Sequence, residues 1–167
     1  MVRRYTRTTS KSCNELYTCP ARQANGETVM AFDWQKPTTQ MLGRWQPWHD
    51  GHTELFKRAL AETGQVVIMV RDVGGIVGTD AGAGRTVAQT DNPFVYEDVW
   101  HGIRDGLQAA GYEYSDQYIV MRVPNIVDIS YGRGVGYTFT EHDLGATIHD
   151  ISATKIRAQM REDGKLT

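Results

Sequence analysis

The run "QVVIMV" at residues 65–70 carries no charge, and after its first residue it is wholly apolar. A strand with one wet face alternates polar and apolar residues. An unbroken run rich in β-branched residues reads instead as a strand buried on both faces, as in a parallel sheet covered by helices. "YIVMRV" at 118–123 reads the same way. Just before the first run, residues 50–63 take a helical period. Leu55, Phe56, Ala59 and Leu60 fall on one face, with Glu54, Lys57 and Arg58 opposite. Asp50 suits the N-cap of this helix and Gly64 its stop. Ahead of it, "TTQML" (38–42) reads as a short, rather polar strand leading into Gly43.

After the first run, "VGGIVGTDAGAGRTVAQT" (73–90) holds five glycines and reads as a long loop of lid type. The next helix takes Asn92 as its expected cap and Pro93 in its first turn, with Val99, Trp100, Ile103 and Leu107 inward and Gly111 just past its end. "GYTFTE" (136–141) alternates like an edge strand. "ISATKIRAQMREDG" (151–164) closes the chain with a helix capped by Ser152 that carries Ile156 and Met160 inward. Strands alternating with helices predict an α/β fold, a parallel sheet with helices on both faces, over residues 41–167. Residues 1–40 read as a polar N-terminal extension, in which "TVMAF" (28–32) is a strand candidate.

A chain of 167 residues is enough for one domain with a sizeable core. Its net charge of −2 argues against a broad basic field for nucleic acid or anionic lipid, but says nothing against a local anion site. No apolar run is long enough to span a bilayer, and Arg3, Arg4 and Arg7 lead into no apolar signal segment. The expectation is a cytoplasmic protein in which Cys13 and Cys19 are free thiols. Self-association is left open.

"GRWQPWHDGH" (43–52) stands where a first strand gives way to a first helix. In an open α/β sheet, ligands bind beyond the carboxyl ends of the strands. There the helix N-terminus offers unpaired N–H groups and partial positive charge. His49 and His52 lie at that end, Gly51 removes a Cβ that would block close approach, and Arg44 adds a fixed charge. Together these groups suit a phosphate cradle.

The same stretch resembles the GRFQPFHxGH form of the HxGH signature of the nucleotidylyltransferase superfamily. "ISATKIR" (151–157) resembles that family's second signature, ISxTxIR, and "DNPFVYEDV" (91–99) is similar to its Asn-Pro-Phe helix entry. The resemblance covers about residues 41–165 and is nearest to nicotinamide-nucleotide adenylyltransferases, with cytidylyltransferases close behind. It implies a Rossmann-like sheet and transfer of the NMP part of a nucleoside triphosphate, ATP favoured over CTP, to a phosphate-bearing acceptor with release of pyrophosphate. Nicotinamide mononucleotide is the favoured acceptor; a phosphorylated alcohol or sugar is the alternative. The acceptor phosphate attacks the α-phosphorus in line, so the site must supply donors and cations rather than a base.

Carried over by position, His49, His52 and Arg157 match the catalytic residues, the arginine suiting β- and γ-phosphates through its planar fork. Gly43, Arg44, Gly51, Ser152 and Thr154 match nucleotide-binding positions. Arg71, just after the second strand, is assigned to the acceptor phosphate on topology alone. Mg²⁺ is expected on the triphosphate, with no metal ligand from the protein.

Other readings compete. Trp45 and Trp48 read as packing residues ahead of base-stacking ones. "GRGVGY" (132–137) reads as a turn between strands, and Arg133 as readily solvated as functional. His101, His142 and His149 read as surface residues. A Cys₂His₂ zinc site from Cys13, Cys19, His49 and His52 would make a binding module instead, but its spacing is poor. A non-catalytic nucleotide sensor would keep the fold; the intact histidines and the Ser152, Thr154 and Arg157 triplet favour an enzyme.

Overall fold

The computed structural model describes residues 31–73, 91–134, 136–145 and 151–166, together with the backbone at 23–24, 27–28, 78–80 and 85–87. In chain order the elements are β1 (Gln23–Ala24), β2 (Glu27–Thr28), β3 (Thr39–Gly43), α1 (Asp50–Thr63), β4 (Val66–Arg71), β5 (Gly78–Asp80), β6 (Arg85–Val87), α2 (Tyr96–Ala109), β7 (Tyr118–Val123) and α3 (Ala153–Glu162). The central sheet has three parallel strands in the order β3-β4-β7. The chain is thus a mixed α/β protein with an open parallel sheet.

Register decides the core. Met41, Ile68 and Val120 stand side by side across the three strands, as do Thr39, Val66 and Tyr118. This face of the sheet meets Phe56 and Ala59 of α1 and Val99, Ile103 and Leu107 of α2, all buried. α1 and α2 share this core on one face, where the sequence reading expects helices on both. On the opposite face Ile119 is buried, while Leu42, Val67, Met69 and Met121 are half-buried.

Several local expectations change. His49, not Asp50, is the N-cap of α1, and Asp50 is its first helical residue. Gly64 ends that helix in the left-handed region (φ 79°), its N–H donating to the Leu60 carbonyl at 2.7 Å. Asn92 does not cap α2. Val95 holds that position, and Asn92 is 1% exposed, drawn inward by a turn that the next section describes. Part of the expected 73–90 loop pairs as an antiparallel hairpin, β5 with β6; the rest of it past Val73 lies outside the described residues.

"GYTFTE" forms no strand. No described strand lies beside it to complete a ladder, and Tyr137 and Phe139 are exposed. In "TVMAF", Thr28 ends β2, and Phe32 is buried but not in a strand; Val29 and Met30 lie outside the described residues, as do Cys13, Cys19 and His149. Residues 31–38 lie against the sheet. The Phe32 N–H donates to the Ser115 carbonyl at 2.7 Å, and the Asp33 N–H donates to Gln65 Oε1 at 3.1 Å. No helix among the described residues is long and apolar enough to cross a membrane.

Candidate active site

The site begins where β3 stops. A Cβ on Gly43 would stand 2.7 Å from the Trp45 ring, so glycine is what lets the indole fold back over the strand end. Trp45 itself sits at φ 53°, a region that costs a non-glycine residue about 1 kcal/mol or more. Its side chain offsets this strain by being buried and by donating its Nε1–H to the Met69 carbonyl at 3.0 Å. Trp48 donates its Nε1–H to Thr53 Oγ1 at 2.9 Å. Both tryptophans pack, as their sequence reading favoured.

The two histidines follow from this frame. The His49 carbonyl accepts the N–H groups of His52 and Thr53 at 2.8 and 3.1 Å, which starts α1. Its side chain makes no capping bond and is free to stack. The imidazoles of His49 and His52 lie face to face, centroids 3.6 Å apart and planes 25° from parallel. Trp45 meets the His52 ring edge-on at 4.9 Å, and Trp48 lies at 5.3 Å. Three rings therefore cage His52. The Nδ1 atoms of both histidines are buried without a hydrogen-bond partner. Burial disfavours the imidazolium and pulls the His52 pKa down to about 3, with the charge of His49 adding to the effect. Burial also lowers His49, against the pull of the Asp50 carboxylate. At neutral pH His52 is a neutral imidazole fixed in orientation.

The second segment enters from α3. Ser152 occupies its N-cap, accepting the Ile156 N–H on its carbonyl at 2.9 Å while its hydroxyl makes no capping bond. Ile156 and Met160 are half-buried, and the buried residue of the helix is Arg157. Arg157 Nη1 donates to the Gln46 carbonyl at 2.6 Å; Nη2 donates to Asp91 Oδ1 at 3.3 Å and to Thr154 Oγ1 at 3.2 Å. Burial lowers its pKa; Asp91 opposes that shift and the nearby charge of Arg44 adds to it.

A third segment, 91–95, ties the first two together. Gln46 is buried, and its amide clasps the main chain of Phe94: Nε2 donates to the Phe94 carbonyl at 2.9 Å and Oε1 accepts the Phe94 N–H at 3.0 Å. Arg44 Nη1 donates to Asn92 Oδ1 at 3.3 Å. The sequence pointed to none of Gln46, Asp91 and Asn92 as site residues. The signal was present in part, since Gln46 lies inside the first quoted segment and Asn92 inside the third. A polar hub leaves no periodic trace, however, and Asn before Pro reads first as a cap.

The other expected residues fall around this junction. Gly51 is buried in the first turn of α1. Thr154 is exposed apart from its bond with Arg157. Arg71 ends β4, donates to Asn125 Oδ1 at 2.6 Å, and shares a small crevice with Gln46 and Phe94. Beside the histidine cage, a cleft of about 450 Å³ is lined by Trp45, Trp48, Phe94, Val99 and Met160, among others. His101, read as a surface residue, is exposed and borders that cleft. Arg133 is exposed. Compared with protein-family models, curated proteins and solved structures, the chain matches none at a significant level.

Proposed function

We propose that the chain is a nucleotidylyltransferase of the HxGH type on a Rossmann-like sheet. It transfers the NMP part of a nucleoside triphosphate, ATP favoured, to a phosphate-bearing acceptor such as nicotinamide mononucleotide. The observation that carries the reading is the bond from Arg157 to the Gln46 carbonyl. It brings the segment that resembles the second signature against the segment that resembles the first, next to the stacked histidines.

The chemistry asks little of a base. An oxygen of the acceptor phosphate forms a bond to the α-phosphorus, and the bond from that phosphorus to the bridging oxygen breaks. Pyrophosphate leaves with the electron pair. What lowers the barrier is fixed positive potential where charge grows. His52, neutral and caged, offers an N–H donor that need not reorganise. The N-termini of α1 and α3 add partial positive charge, and Ser152 and Thr154 add hydroxyl donors. Arg44 and Arg157 face the β- and γ-phosphates, with Arg71 toward the acceptor. A Mg²⁺ carried by the triphosphate would neutralise phosphate charge beside these donors.

The test is a pyrophosphate-release screen of the four nucleoside triphosphates against phosphorylated acceptors, with and without Mg²⁺. Release with ATP and nicotinamide mononucleotide is expected. His52→Ala should lower that turnover by about 10²–10³-fold with an unchanged circular dichroism spectrum. Release with CTP and a phosphorylated alcohol would reassign the substrates. No release from any pair, or full turnover in His52→Ala, would overturn the reading.

A further inference from the structure

Asp91 and Asn92 are adjacent and nearly the same shape. Each offers its Oδ1 to one Nη of a different arginine, both at 3.3 Å. They differ in charge and in exposure. Asn92 is 1% exposed and gives Arg44 an acceptor without cancelling its charge. Asp91 is 40% exposed and balances Arg157, itself almost wholly buried. The two arginines are near enough that Arg44 disfavours the charged form of Arg157. Two cations held that close need an anion. The turn that carries both acceptors cannot drift from the first segment, because Gln46 holds the Phe94 main chain at two points.

We infer that Asp91 and Asn92 are positioning residues that aim Arg44 and Arg157 at one bound polyphosphate, with Asp91 standing in for that anion until it arrives. This rests on the polyphosphate site of the proposed function. The neutral acceptor orients Arg44 and leaves its charge uncancelled for the ligand. The acidic one is 40% exposed, so water can hydrate its carboxylate when Arg157 takes another partner. When phosphate oxygens take the Arg157 Nη2 proton donor, the Asp91 carboxylate turns to water.

The isosteric swaps carry opposite signs. Asp91→Asn keeps the acceptor oxygen and removes a competing charge, so inorganic tripolyphosphate should bind up to about fivefold tighter. Asn92→Asp adds a buried charge against Arg44, and the same probe should bind at least about tenfold weaker. Both are read by isothermal titration calorimetry on the full chain at low salt, with melting temperatures as the check on folding. A turn with a merely structural role would weaken binding in both variants together. Binding by Asp91→Asn that is equal to or weaker than wild type overturns the inference, even if Asn92→Asp does not fold. Tripolyphosphate binding by the wild type with no gain in Asp91→Asn sinks the inference alone; no binding by the wild type at millimolar probe sinks the proposed function with it.

Discussion

Residues 43–52 and residues 151–157 meet at the Gln46 carbonyl, yet different forces hold them. The first segment is fixed by rings. Trp45 and Trp48 pack against the core, spend their indole N–H groups on Met69 and Thr53, and leave His52 a single orientation. The second segment is fixed by one cation. α3 buries Arg157 and leaves its apolar residues half-covered, so its attachment is chiefly a set of polar bonds. Apolar packing is not exchangeable, because nothing in water replaces it. A polar bond can pass from a protein oxygen to a phosphate oxygen at little cost. Under the proposed function, one half of the site would be built before ligand arrives and the other would trade partners.

Gly43→Ala attacks the rigid half and should have the largest effect on stability. The new methyl group would lie 2.7 Å from the ring of a buried tryptophan, which has no free volume to enter. Overpacking of this kind costs about 1–3 kcal/mol, to be read from urea unfolding. The displaced ring is the one edge-on to His52, so the histidine proton resonances should shift as well. Unchanged stability together with unchanged resonances would mean that the indole does not set the imidazole.

Arg157→Ala attacks the exchangeable half, and its effect should be local. The core of Met41, Ile68, Val120 and Phe56 contains nothing from α3, so the cost should be confined to the lost bonds of Arg157, about 1–2 kcal/mol. Amide exchange in 153–162 should quicken while the amides of Ile68 and Val120 keep their protection. A collapse of protection in β4 and β7 would show that α3 belongs to the core, and would erase the contrast between the halves.

The same division explains what the sequence revealed. β4 and β7 were legible as unbroken apolar runs, and α1 and α2 as helical periods that the core reads out, Val99, Ile103 and Leu107 in the second helix. The rigid half of the site was legible as a segment, since Gly43, the tryptophans and the histidines sit close together in the chain. The junction was not. Gln46, Asp91 and Asn92 act through hydrogen bonds to residues 48 to 111 positions away, and no spacing rule reaches that far. "GYTFTE" failed in the opposite sense: its alternation is real, but a strand needs a neighbour as much as a pattern.

The smallest effect, and the sharpest probe of the rigid half, is the response to acid. In the unfolded chain a histidine titrates near its ordinary 6.5, whereas the caged His52 titrates at about 3. Between those values the unfolded chain holds a proton that the folded one refuses, so stability rises with pH there. The contribution is fully present above 6.5 and is lost as pH falls toward 3; burial of His49 acts in the same direction. Between about pH 7.5 and 6.5 the loss should be roughly a few tenths of a kcal/mol, growing below, in a range where ordinary carboxylates remain charged. Urea midpoints measured across that range should slope for wild type and flatten in His52→Gln, which keeps a polar group but has no proton to refuse. Equal slopes in the two proteins would place the His52 ring in water, outside the cage on which the rigidity of this half depends.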